Sequence, residues 1–126
     1  MFDPGTASAW KEEVALELRR HRPSKPIERP VMLCVEFFMP RPLRLQRRQD
    51  PEEAILMTAK PDVDNLLKAI MDALTDDGWW DDDALVCTVV ASKSYAAKNA
   101  SSGARIQICL LPEDGSVELR HERAEP

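Results

Sequence analysis

Residues 62–83 gather Asp62, Asp64, Asp72, Asp81, Asp82 and Asp83 around one lysine, Lys68. Neither a helix nor a strand gains from so many like charges close together, so the crowding points to a divalent cation. Asp62 and Asp64 are two apart. In an extended segment side chains at that spacing share a side, so these carboxylates can converge just before a helix begins, where free N–H groups also favour anions. Asp83 follows a turn that can fold back over that helix and bring a third carboxylate. Aspartate oxygens suit Mg²⁺ or Mn²⁺ better than zinc. An ion held this way keeps several waters, can activate one as a nucleophile, and can neutralise charge on a phosphate. Lys68, one turn beyond Asp64, would meet that phosphate or the charge that develops on it. The plain alternative is structural. Asp62 becomes an N-cap, Asp64 and Lys68 an exposed pair worth about 0.3–0.5 kcal/mol, and the three consecutive aspartates a solvated turn. Spacing alone leaves the two readings level.

The elements that must position these groups follow from periodicity and punctuation. Ser8 stands where an N-cap belongs, and a helix is expected over residues 9–20. Trp10, Val14 and Leu18 fall one turn apart on its buried face, and Pro23 and Pro26 stop it. In Val31–Met39, Val31, Leu33, Val35 and Phe37 alternate on one face. Met32, Cys34 and Phe38 are apolar on the other, which predicts a central strand. Residues 41–60, rich in Arg, Gln, Asp, Pro and Glu, read as a long mobile loop of the functional kind. A second helix over 64–74 presents Leu66, Leu67, Ile70, Met71 and Leu74 to the core, and Asp64, Lys68 and Asp72 on the opposite face. A turn at 76–82 leads to strands over 85–93 and 105–111. The expectation is one α+β domain over residues 1–112, with a small mixed sheet packed against two main helices. Residues 113–126 read as a charged, frayed tail.

Composition narrows the class. A chain of 126 residues, 44% apolar and 31% charged, is one soluble globular domain. No apolar run approaches the length of a membrane span, and Met1-Phe2-Asp3-Pro4 lacks the character of a signal peptide, so a cytoplasmic protein is expected. The three cysteines, Cys34, Cys87 and Cys109, are odd in number and widely spaced, which reads as buried reduced thiols. His21 and His121 stand alone, without zinc spacing. A net charge of −5 by itself argues against nucleic acid. The basic residues are clustered, however: Arg41, Arg44, Arg47 and Arg48 in one stretch, Arg19, Arg20, Arg22 and Lys25 in another. An acidic chain can carry a basic groove when bound cations neutralise its acidic centre. Arg41, Arg44, Arg47, Arg48, Lys60 and Lys93 are candidates for phosphate contact, with Lys98 weaker. Trp79 and Trp80 could stack on unpaired bases; the reading preferred for at least one of them is core filler.

The run Pro61-Asp62-Val63-Asp64-Asn65-Leu66-Leu67-Lys68, then Asp72-Ala73-Leu74, then Gly78-Trp79-Trp80-Asp81-Asp82-Asp83-Ala84-Leu85-Val86, resembles the core motif of the RusA family of Holliday-junction resolvases. The likeness is nearly unbroken across about twenty-five positions, and weaker likeness extends to the flanking helix and strands. It implies a homodimeric, Mg²⁺-dependent, structure-selective endodeoxyribonuclease of α+β fold, with Mn²⁺ able to substitute. Such an enzyme resolves four-way junctions by paired phosphodiester hydrolysis, leaving 5′-phosphate and 3′-hydroxyl ends, in DNA recombination and repair. The family's essential aspartates fall on Asp62, Asp64 and Asp83, and its catalytic lysine on Lys68. Asp72 and Asp82 match secondary acidic positions, and Asp81 has no counterpart. Members of the family usually carry an N-terminal strand and a basic loop before the first helix; here Met1 lies almost directly before that helix, so the expectation is either that the true start lies further upstream or that this member has lost the strand. Two other classes are a non-catalytic binder of branched DNA and an acidic protein-interaction module. Neither needs the carboxylate set, and only the net charge favours the last.

Overall fold

The computed structural model describes residues 7–112, and among the side chains those from Glu13 onward. Helix α1 spans Ala7–His21 and ends on Arg19, Arg20 and His21, cations that suit a helix C-terminus. Because it starts at Ala7, Ser8 lies in its first turn and not at its cap. Leu18 is buried and Val14 packs beside it. The side chain of Trp10 lies outside the described residues, as does the tail from 113.

Strand β1 (Val31–Met39) is the centre of a four-stranded mixed sheet. It pairs in parallel with β3 (Val86–Tyr95) and antiparallel with β4 (Gly103–Leu110). A two-residue strand, β2 (Ile55–Leu56), joins the far end of β3 at Tyr95 and Ser94. The alternation is realised in full on one face: Val31, Leu33, Val35, Phe37 and Met39 are each at most 1% exposed. That is the face the helices cover. On the other face Met32, Cys34 and Phe38 are only half-buried and Glu36 is exposed. Arg105 lies there, 5.7 Å from the Phe38 ring centre and 3.7 Å from the Glu36 carboxylate. The strand is thus central by pairing but covered by helices on one side. Burial raises the Cys34 thiol pKa, helped by neighbouring Cys109 and Glu36. Cys34 and Cys109 are half-buried and Cys87 is exposed, so all three are free thiols but none is fully buried as expected.

Helix α2 (Val63–Asp76) turns Leu66, Ile70 and Leu74 inward. Gly78, at φ 85°, turns the chain off its C-terminus, a backbone conformation that favours glycine. Trp80 then enters the core with no exposed surface, and its Nε1–H donates to Thr75 Oγ1 at 3.0 Å. It is therefore core filler. Trp79 is half-buried; its Nε1–H donates to Asp77, and its carbonyl accepts the Ile27 N–H at 2.7 Å, tying the turn to the approach to β1.

The connection from 41 to 54 is long, as expected, but it is built and not mobile. Arg41 is 9% exposed, and its guanidinium donates to the carbonyls of Leu45, Pro51 and Glu53 at 2.7, 2.7 and 3.1 Å. The Lys98 ammonium donates to the carbonyls of Arg47 and Asp50 at 2.7 and 2.8 Å. Asp50 closes the turn by accepting the Arg47 N–H at 2.8 Å. That bond, followed by the Arg47 guanidinium, holds the Asp50 carboxyl below its ordinary range.

Candidate active site

Asp62 occupies the N-cap of α2, with an extended backbone, yet its side chain makes no capping hydrogen bond. An aspartate at this position ordinarily accepts from an N–H of the first turn. Here the fold leaves the carboxylate unused, against the plain N-cap reading. Asp64 sits in the first turn and, with Lys68 and Asp72, forms an exposed row along α2. Among the described residues Lys68 has no ion-pair partner, so the Asp64 and Lys68 pair that a purely structural role would use is not made. These motif side chains thus stand exposed on a well-packed helix, without a partner among the described residues.

Asp83 opens a short 3₁₀ turn (Asp83–Leu85) ahead of β3, and it too is exposed and unpaired. Asp82 is occupied locally, since its carboxylate accepts the Ala84 N–H at 2.9 Å and caps that turn. The α2 helix runs back along the sheet, antiparallel to β3. Its N-terminus adjoins the end of β3, where the Lys93 ammonium reaches the Pro61 carbonyl. Its C-terminus leads through the Trp79–Trp80 turn into the start of β3. Fourteen helical residues at about 1.5 Å each separate the two ends by about 20 Å. Asp62 and Asp64 stand at the start of the helix, and Asp83 comes only after it has ended, in the 3₁₀ turn before β3. Accordingly, no group of three or more His, Cys, Asp or Glu side chains among the described residues is placed to hold a metal ion. The expected convergence of Asp83 with Asp62 and Asp64 into one three-carboxylate group is therefore not seen within the described residues of one chain.

The basic candidates divide in a similar way. Arg44 and Arg48 are exposed and unpaired on the stapled loop, and Lys60 is exposed beside Asp62. Arg47 is exposed but ion-paired with Asp50 at 3.3 Å. Arg41 points inward to loop carbonyls, so its assignment to phosphate contact is corrected. Lys93 donates to the carbonyls of Ala59 and Pro61 at 2.5 and 2.8 Å, an internal role in place of the expected DNA contact. In the other basic cluster Arg19 and Arg22 each lie 3.6 Å from Asp77, whose side chain is 4% exposed. Asp77 is a structural anchor that the sequence hid inside an acidic run. Lys98, a weaker candidate for phosphate contact, is the loop's second staple. Nothing in the sequence separates Asp77 from its acidic neighbours, and nothing around Lys98 marks it as a staple.

The family described as Endodeoxyribonuclease RusA matches residues 1–109. The chain belongs to the RusA family. The two helices and four-stranded mixed sheet are an α+β arrangement consistent with a RusA-like fold. The chain is also similar to Uncharacterized protein YqaN of Bacillus subtilis (strain 168), at 35% identity over 101 residues, 76% of this chain and 70% of the relative. The family is one of endodeoxyribonucleases, and the motif residues Asp62, Asp64, Lys68 and Asp83 are exposed in this chain. No helix among the described residues is long and apolar enough to cross a membrane.

Proposed function

We propose that this chain is a Mg²⁺-dependent endonuclease that resolves Holliday junctions in DNA recombination and repair, working in the cytoplasm as a homodimer. The observation that carries the reading is Asp62: a motif aspartate at an N-cap that does not cap. Asp64 and Lys68 beside it are likewise unpaired. Oxygen donors of this kind suit Mg²⁺ or Mn²⁺, but one chain offers two carboxylates at the α2 N-terminus and does not bring a third into the same group among the described residues. A second copy supplies the missing donor if its Asp83 meets Asp62 and Asp64 across a two-fold axis. Two symmetric sites then form, as the paired cuts of a four-way junction require.

In such a site the carboxylates hold the ion, and Lys68, one turn along α2, lies against the scissile phosphate and the charge that develops there. Bound Mg²⁺ supplies a Lewis acid and lowers the pKa of a coordinated water. Arg44, Arg48 and Lys60 are free to contact neighbouring phosphates, with Arg47 beside them. The products are a 5′-phosphate and a 3′-hydroxyl.

Subunit complementation tests this. Asp62→Asn and Asp83→Asn proteins should each bind a synthetic four-way junction without cutting it. Mixed and allowed to exchange subunits, they form heterodimers with one doubly altered site and one intact site, and single-strand nicking should return. If the third carboxylate came from the same chain, both sites of the heterodimer would be dead and nicking would not return. Wild-type protein that binds the junction but never cleaves it in Mg²⁺ would leave the non-catalytic binder as the reading. Protein that fails to bind even at low salt, where phosphate contacts are strongest, would favour the protein-interaction module.

A further inference from the structure

Lys93 is the eighth residue of β3 and lies opposite Phe37 of β1, on the face the helices cover. Its ammonium donates to the Ala59 carbonyl at 2.5 Å and the Pro61 carbonyl at 2.8 Å. Its own carbonyl accepts the Met57 N–H at 3.2 Å. Among the described residues it has no ion-pair partner. The cation is thus held wholly by main-chain oxygens of the segment that leads into α2. Hydrogen bonds with one charged partner are roughly twice as strong as neutral ones. The second of them fixes the peptide plane between Pro61 and Asp62, which sets where the N-cap residue starts. Asp62 makes no capping bond of its own, so its side chain does nothing to fix that start.

We propose that Lys93 is a positioning residue for Asp62 and Asp64. It clamps the 59–61 segment to the rigid end of β3, so that both carboxylates are presented at fixed spacing, and it places a positive charge beneath two negative ones. The inference rests on the reading of Asp62 and Asp64 as metal ligands, and it removes Lys93 from the DNA contacts.

The test uses the full chain, at one fixed protein concentration, with Lys93→Met, Lys93→Gln and Lys93→Arg. Lys93→Met keeps the aliphatic stem and loses the ammonium; Lys93→Gln is the substitute should the first not fold. Four readouts are taken: amide exchange across 57–66, the Mg²⁺ concentration that half-saturates the rise in Tm without DNA, the cleavage rate, and junction affinity in Ca²⁺ over a range of salt. The expected result for Lys93→Met is faster exchange confined to 57–66 and at least a tenfold higher half-saturating Mg²⁺. Cleavage is slowed, while junction affinity and its salt slope are unchanged. Lys93→Arg, which can still donate to two carbonyls, recovers part of each loss. Unchanged Mg²⁺ affinity together with weaker junction binding and a salt slope shallower by about one would overturn the proposal in favour of phosphate contact. Exchange raised across the whole chain would overturn it in favour of a general stabilising role, and no change in any readout would also overturn it. Exchange and Tm are read without nuclease activity, so failure of the clamp is distinguishable from failure of the resolvase reading, in which the wild type itself does not cut. Wild-type protein with no Mg²⁺ response would overturn both.

Discussion

Replacing Arg41 by methionine isolates the contribution of the inward-facing guanidinium. The side chain holds three carbonyls, those of Leu45, Pro51 and Glu53. Hydrogen bonds to charged groups contribute about 1.5–3 kcal/mol each. Three at the lower bound give about 4.5 kcal/mol. Part of that is offset because burying a guanidinium has its own desolvation cost and because the released carbonyls regain water when the loop opens. About 3 kcal/mol remains, roughly a hundredfold in an equilibrium constant. The loss should fall on the loop and not on the whole fold, because the core of β1, α2 and Trp80 does not use Arg41. Arg44, Arg47 and Arg48 are trypsin sites inside that loop. In native buffer, where cleavage follows the population of the open form, Arg41→Met should be cut there about a hundred times faster than the wild type, with the Tm shifted by only a few degrees. Equal cleavage rates would refute the reasoning, since they would mean that the three bonds do not hold the loop. A collapse in Tm with no selective cleavage would refute it differently, by making Arg41 part of the global core.

Three further outcomes follow from the same geometry. The double substitution Arg44→Ala and Arg48→Ala should weaken junction binding without altering Tm, and should flatten the slope of log affinity against log salt by about 1.8, about 0.9 for each phosphate contact; gel-shift titrations between 50 and 200 mM salt read it. Alkylation followed by mass spectrometry should modify exposed Cys87 first, and Cys34, whose thiol pKa is raised by burial, only as the pH is taken higher. Asp50 has a lowered folded pKa, so its support of the Arg47 turn is complete above the ordinary carboxylate value near 4 and fades as pH falls through the folded value; amide protection at 47–50, relative to the intrinsic exchange rate at each pH, should fall in acid in the wild type, and Asp50→Asn should show the lower protection already at neutral pH.

Much of the fold was legible because its signals are local. The alternation in Val31–Met39 and the apolar face Leu66, Ile70 and Leu74 each name an element and the side it buries. Helix, strand and turn order then imply a mixed sheet. β2 was not legible, because Ile55 and Leu56 are too short a run to carry a period. The status of Arg41 was hidden for a different reason. In sequence it is one of four arginines of equal charge, and only the path of the loop around it converts a solvent-facing cation into an internal one. Asp77 was likewise masked by Asp76 and by the aspartates at 81–83. At the site, the motif identified Asp62, Asp64, Lys68 and Asp83 as a set, but a motif records neighbours in sequence. Whether those neighbours converge in space depends on how the turn after α2 runs, and no local pattern encodes that direction.

The inward-turned cations alter how the molecule should meet DNA in time. Arg41 and Lys98 bond backbone carbonyls, and Lys98 also lies 3.5 Å from Glu52. Their charges are therefore largely uncancelled locally, although their donors are occupied. Such charges still act at a distance, within a Debye length of about 8 Å at physiological salt. They help draw a polyanion in, but release few counterions once it has arrived. The encounter should depend on more basic residues than the bound complex does. Arg41→Met or Lys98→Met should lower the association rate at low salt beyond any change in loop order, whereas dissociation is governed by the arginines that remain outside.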